Sequence, residues 1–350
     1  MKLFTFLITF SIGLNVFSQD IIIDELKKFC LDKPENTQLS IAIIKDGTTI
    51  HYGVIKQKDF IQLIENKDHL FEIGSITKVF TSTLLAQLIT EGKINKKITI
   101  NQILKHKTNL KTKIKLIELA NHTSGLVTLP QNFLTKNFNH TNPYKNYSST
   151  DFDYFLKNEI RTMNLPGSNY LYSNMGAGLL GYCLGISQQN NYFELLQHDI
   201  FDKYELKNSF YSYSQITNKT FVKGMNAEGN ETSNWDFDVL AGAGCIISST
   251  SDLAKFANHQ FSSTNKAILM TQTPTFVIND KMKIGLGWHI LTQQSNNNEY
   301  IWHNGATGGY SSSMALNVKN KTGVIILSNL SSINESLDKL CLDFLNKLNQ

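Results

Sequence analysis

The chain has 350 residues, 41% of them hydrophobic and 18% charged, with a net charge of +4 and a mean hydropathy of −0.20. That length admits two or three domains, the hydropathy excludes a polytopic membrane protein, and 21 Phe, 13 Tyr and 3 Trp are too many aromatics for a disordered chain. Of the 33 basic residues only Arg161 is an arginine, which argues against a nucleic-acid partner that would need guanidinium contacts.

Residues 1–18, MKLFTFLITFSIGLNVFS, open with Lys2 and run apolar to Val16. They read as an export signal cleaved after Ser18, with an uncleaved anchor as the alternative, so a periplasmic or secreted protein without a stable membrane span is expected. IIIDELKKFCLDK then reads as a short amphipathic helix, and LSIAIIKDGTTIHYGVI as a hairpin around a Lys-Asp-Gly-Thr turn. FEIGSITKVFTSTLLAQLITEG predicts a short strand entering an amphipathic helix that stops at Gly92. Residues 93–240 read as mostly helical with loops, with Arg161 on an exposed helix. Eight lysines and no acid between 93 and 115 mark a solvated face there. EYIWHNG, YSSSMALNV and GVIILSN follow as consecutive strands, and SINESLDKLCLDFLNKL closes with a helix. The fold class is therefore α/β in the α+β sense: one antiparallel sheet built from both chain ends, flanked by terminal helices, with a mostly helical insertion.

The four cysteines (Cys30, Cys183, Cys245, Cys341) form no CxxC pair, so no metal site and no cofactor is expected. Buried free thiols are the simplest reading. A Cys30–Cys341 pair stays open, should the two terminal helices pack together.

A serine hydroxyl is a poor nucleophile until a base lies beside it, and a lysine one helical turn away can serve when its pKa is lowered. Three Ser-x-x-Lys strings occur: Ser75–Lys78, Ser263–Lys266 and Ser336–Lys339. The second falls in a polar stretch, and the third on the last helix with Asp338 beside its lysine. Only Ser75 follows a strand and a glycine into a helix, where its own N–H is free to hold an oxyanion. The string Gly176-Ala-Gly178-Leu-Leu-Gly181 has no strand before it, and Glu194 downstream lies in a helical pattern, so nucleotide binding is set aside.

FEIGSITKVFT resembles the nucleophile segment of the serine β-lactamase and penicillin-binding family, in its class C branch with related DD-peptidases and esterases. NHTSGL (121–126), PGSNYLYSNMGAGLLG (166–181), AGAGCIISSTSDLAKFA (241–257), GLGW (285–288) and WHNGATGGY (302–310) match further family segments in the same order. The resemblance covers nearly the whole chain after the signal. It implies one catalytic domain over 19–350, with the sheet part at about 19–75 and 241–350 and the helical insertion at about 76–240. It also implies Ser75 as nucleophile, with Lys78 and Tyr172 moving the proton; which of the two is the base stays open. Tyr172-Ser-Asn174 fits the family's Tyr-x-Asn segment better than Tyr144-Lys-Asn146, and Asn174 would position substrate. A literal Lys321-Thr-Gly323 reads as a hairpin turn a whole strand away, so His303, Asn304 and Gly305 take that motif's place, with the Ala306 N–H in the oxyanion hole. The expected activity is a serine hydrolase acting through a Ser75 acyl-enzyme on an amide or ester, as a D-amino-acid-type peptidase or esterase. A β-lactamase and a non-catalytic penicillin- or peptidoglycan-binding protein are the alternatives. The expected partner is a small-molecule or peptide substrate, peptidoglycan-derived or not, and a monomer is expected.

Overall fold

The computed structural model describes residues 19–134, 138–293 and 298–350; the expected signal segment lies outside them. The strands are β1 (Gln38–Lys45), β2 (Thr48–Gln57), β3 (Phe60–Leu63), β4 (Phe71–Glu72), β5 (Ile247–Ser248), β6 (Phe276–Asn279), β7 (Met282–Ile284), β8 (His289–Thr292), β9 (Glu299–Ala306), β10 (Ser311–Asn317) and β11 (Thr322–Ser328). The helices are α1 (Gln19–Cys30), α2 (Thr77–Thr90), α3 (Ile100–Leu104), α4 (Leu116–Ala120), α5 (Ser149–Asn158), α6 (Asn174–Ser187), α7 (Tyr192–Leu196), α8 (Thr250–Gln260), α9 (Lys266–Gln272) and α10 (Asn334–Leu348). The hairpin turn between β1 and β2 has both central residues left-handed (Asp46 φ +50°, Gly47 φ +76°), as a two-residue type I′ turn requires.

Nine strands form one sheet in the order β3-β2-β1-β11-β10-β9-β8-β7-β6, and every neighbouring pair is antiparallel. The N-terminal β1 and the C-terminal β11 run side by side at its middle, from Leu39 opposite Ser328 to Lys45 opposite Thr322. Both are covered on both faces, which is why they read as nearly continuous apolar runs. Side chains alternate between two cores. Ile41, Ala315, Val324 and Ile326 face a layer made by α1 and α10, while Ala42, Ile44, Ile325 and Leu327 face the larger core that contains α2. The last three strands of the order, β8-β7-β6, come from residues 276–292, where the sequence pattern does not predict strands.

Two expectations change. The helix α2 is not amphipathic: Thr77 to Leu88 are all buried, so it runs through the middle of the molecule. Its polar side chains find partners there, with Thr81 Oγ1 within 2.7 Å of the Tyr192 hydroxyl and Gln87 Nε2 donating to the Tyr204 hydroxyl. Arg161 is exposed but sits in the loop after α5, past the helix end at Asn158. Cys30 and Cys341 do share the layer between the terminal helices, which Lys347 and Glu25 link by an ion pair, yet all four cysteines are buried free thiols. The glycines of the 176–181 string serve packing: a Cβ on Gly178 would lie 2.8 Å from Leu240 Cα, and one on Gly181 3.2 Å from Gly242 Cα.

Candidate active site

Ser75 stands in a single tight turn, Gly74–Ile76, between β4 and α2. Gly74 has φ +50°, and a Cβ there would lie 2.7 Å from both the N and the O of Ala306. A Cβ on Gly305 would lie 2.0 Å from Ile73 O and 2.9 Å from Ser75 N. Two glycines thus let the end of β9 close directly on the serine turn, and Ser312 Oγ fastens the contact by donating to Ile73 O at 2.9 Å.

Lys78 follows on the first turn of α2, three residues on and therefore on the serine's side of the helix. Its Nζ lies 2.8 Å from Ser75 Oγ and donates to Ala243 O at 2.7 Å. The residue is 2% exposed, and among the described residues no carboxylate pairs with it. Burial alone pushes its pKa well below the ordinary lysine value, toward an amine that can take a proton. The ring centre of Tyr172 is 4.9 Å from this nitrogen. Burial raises the phenol's pKa, and its interaction with the Ser75 hydroxyl offsets part of that rise. Tyr172 comes from the loop just before α6, whose N-cap is Ser173.

Asn174 begins α6, and its amide donates to the Tyr144 hydroxyl at 3.2 Å. The two Tyr-x-Asn strings thus converge: Tyr172 stands at Ser75, while Tyr144 is buried behind Asn174, stacked on Phe237 at 4.3 Å. Asn174 Oδ1 is buried and has no hydrogen-bond partner among the described residues.

The strand β9 separates the remaining expected residues. His303 faces the serine side, its ring 6.5 Å from that of Tyr172 and 5.3 Å from that of His289. Its Nδ1 donates to Asn304 O at 2.6 Å. Asn304 points the opposite way and donates to Asp338 Oδ2 on α10 at 2.6 Å. Adjacent strand residues must diverge like this, so the expected substrate contact by the Asn304 side chain is corrected to a bond beneath the sheet. Lys321 lies in the exposed turn between β10 and β11 with φ +51°, at the far end of β10 from Ala306. The other two Ser-x-x-Lys strings stay apart from this cluster: Asn265 and Lys266 open α9, and Lys339 on α10 is paired with Asp343.

Side chains that the sequence pattern did not single out complete the cluster. His122, in the NHTSGL loop, is 1% exposed and lies against Tyr172 with ring centres 4.4 Å apart. His289 Nε2 is 2.8 Å from the Tyr170 hydroxyl. Both were within reach of sequence, since His122 lies inside the NHTSGL motif and His289 directly follows GLGW. All three imidazoles are pushed toward the neutral form by burial first, His289 to about 4, with charge at Lys78 acting in the same direction.

A family model, Beta-lactamase, matches residues 33–340. The chain belongs to the beta-lactamase family. It is a serine hydrolase of that family, with the mixed α/β architecture and large antiparallel sheet of its solved relatives. It is similar to "Beta-lactamase" of Pseudomonas fluorescens, 26% identical over 77% of this chain and 74% of the relative. It is also similar to "Protein flp" of Staphylococcus aureus strain MW2, 24% identical over 89% of this chain, and spans 63% of that protein's length. Among solved structures, the "Beta-Lactamase/D-Alanine Carboxypeptidase" of Pseudomonas syringae superposes with a TM-score of 0.78 at 21% identity, covering 93% of this chain and 98% of that one. "A class C beta-lactamase" gives 0.76 at 19% identity, covering 93% and 94%.

Proposed function

We propose that Ser75 is the nucleophile of an exported serine hydrolase that works through an acyl-enzyme. One observation carries this reading: Ser75 Oγ lies 2.8 Å from the nitrogen of a buried lysine with no acidic partner among the described residues. In the proposed sequence Ser75 Oγ attacks the carbonyl carbon, and its proton passes to Lys78 directly or through Tyr172. The tetrahedral oxyanion is held by the N–H groups of Ser75 and Ala306, on two segments that the glycine contacts bring together. Collapse breaks the bond to the leaving group, which takes up the proton from the Lys78–Tyr172 pair. Water then hydrolyses the Ser75 ester with the same pair as base. Asn174, His303 and the backbone at Gly305 line the place for substrate.

The substrate reading is a peptidase acting on D-amino-acid peptides, or an esterase. Burial works against a fixed positive charge on Lys78 and on the three imidazoles, so none of them is built as a cation for a substrate carboxylate, and Arg161 is off in its exposed loop. That disfavours efficient β-lactam turnover, although one solved relative carries both activities in its name. Export rests on residues 1–18. Among the described residues no helix is long and apolar enough to cross a membrane. We read residues 19–350 as one catalytic unit.

A fluorescent penicillin and a fluorophosphonate probe are expected to label the wild type and not Ser75→Ala; labelling retained in the variant refutes the nucleophile. Turnover of a D-Ala-D-Ala peptide, a chromogenic cephalosporin and p-nitrophenyl esters separates the substrate classes. Labelling with no turnover of any of them would leave a binding protein.

A further inference from the structure

We propose that His122 is a positioning residue that holds the Tyr172 hydroxyl at Ser75. This deepens the reading above, since it rests on Tyr172 being part of the proton path. The residue grips the chain on both sides of the tyrosine. Its carbonyl accepts the Leu171 N–H at 2.8 Å, and its ring Nδ1 accepts the Ser173 N–H at 3.2 Å. Between these two bonds the imidazole lies against the phenol ring, 4.4 Å between centres and tilted by 37°.

The surrounding loops make that grip stiff. The 121–128 loop and the 163–175 segment are joined by Met163 N–H to Gly125 O, Gly167 N–H to Thr123 O and Met175 N–H to Thr128 O, at 2.7, 2.7 and 2.9 Å. The 121–128 loop is itself tied down, with Asn121 Nδ2 donating to Thr275 Oγ1 at 3.0 Å and Gly287 N–H to Ala120 O at 2.9 Å. Ser173 is fully buried, and its hydroxyl is already used to cap α6 and to donate to Val127 O. Its N–H therefore depends on the imidazole. Since Nδ1 accepts, the proton of the neutral ring is on Nε2. Burial is the main force opposing a second proton, so the accepting lone pair persists.

His122 has φ +58°, a left-handed conformation that Asn and Gly also adopt. This allows a clean comparison. Asn offers Oδ1 close to where Nδ1 stands, while Gly suits the backbone and offers no acceptor. In single-turnover acylation by a p-nitrophenyl ester, His122→Gly is expected to slow the chemical step by ~10²-fold, the scale of a lost proton transfer, with KM nearly unchanged. His122→Asn is expected to recover most of that rate. In a Tyr172→Phe background His122→Gly should cost little more, because its effect is exerted through the phenol. Hydrogen exchange at 171–173 should quicken in the Gly variant and stay slow in the Asn variant.

An Asn variant as slow as Gly, a full additional loss in the Tyr172→Phe background, or unchanged exchange at 171–173 would each overturn the proposal. Wild-type acylation by Tyr172→Phe would remove Tyr172 from the proton path and the proposal with it. The nucleophile assignment is tested separately by Ser75→Ala labelling and would survive that result.

Discussion

Replacing Gly305 by Ala is expected to disable acylation while leaving the protein folded. A Cβ at that position would sit 2.0 Å from Ile73 O, 2.6 Å from Ser312 Oγ and 2.9 Å from Ser75 N. Real Cβ contacts essentially never fall below 3.0 Å, so the two backbones must part by about 1 Å. Neither side yields easily. Ile73 is held by its N–H to Ile246 O at 3.0 Å and by the Ser312 hydroxyl on its carbonyl, and β9 is held in register by β8 and β10. Overpacking of this kind costs about 1–3 kcal/mol, a fall in Tm of a few degrees for a chain this long. The larger effect is chemical. Moving Ala306 about 1 Å away from Ser75 takes one N–H out of reach of the oxyanion, a loss of ~10²–10³ in rate. Stopped-flow acylation by a chromogenic ester and a thermal melt measure the two effects side by side. Gly47→Ala is the control: at φ +76° with nothing within 4 Å, it should cost about 1 kcal/mol of strain and leave acylation alone. A Gly305→Ala enzyme that acylates within about threefold of wild type would refute the oxyanion-hole assignment.

Lys78→Met should abolish labelling. It should also stabilise the fold relative to wild type more at pH 6 than at pH 9. A lysine whose pKa is lowered by folding binds fewer protons folded than unfolded. The cost is about 1.4 kcal/mol for each pH unit of that lowering, and it fades as pH rises toward the unfolded value. Parallel thermal melts at the two pH values check the sign. His303→Ala is expected to cut turnover while Lys321→Ala leaves it unchanged, because Lys321 stands in an exposed turn at the other end of β10; steady-state kinetics with the preferred ester decide. Asp338, pushed up to about 6 mainly by burial, binds protons more readily folded than unfolded, so wild-type stability should gain from it as pH falls through 6 toward 4. Asp338→Asn should remove that gain, of order 1 kcal/mol, in denaturant titrations at pH 4.5 and 7.

The pair at the centre of the site was legible because it is local. Serine and lysine three residues apart at a helix start must share a face, and only Ser75 of the three copies had a strand and a glycine before it. The sheet from both ends was legible as well, since β1 and β11 are covered on two faces and carry nearly continuous apolar runs. The outer strands β6 and β7 were not: short and partly exposed, they show little periodicity to read. Arg161 was misplaced for a similar reason, since the end of α5 depends on where the chain turns to meet the NHTSGL loop.

By itself, then, the sequence determined the family and a sheet built from both chain ends, and it singled out Ser75 and Lys78 as the candidate pair. Tertiary structure alone decided the electrostatics and the facing. The lowered pKa of Lys78 comes from a helix buried on every side. His122 and His289 reach the site only because loops distant in sequence fold against Tyr172 and Tyr170. Which of His303 and Asn304 faces Ser75 depends on the face of β9 that α10 covers, and a strand's alternation says only that they cannot both do so.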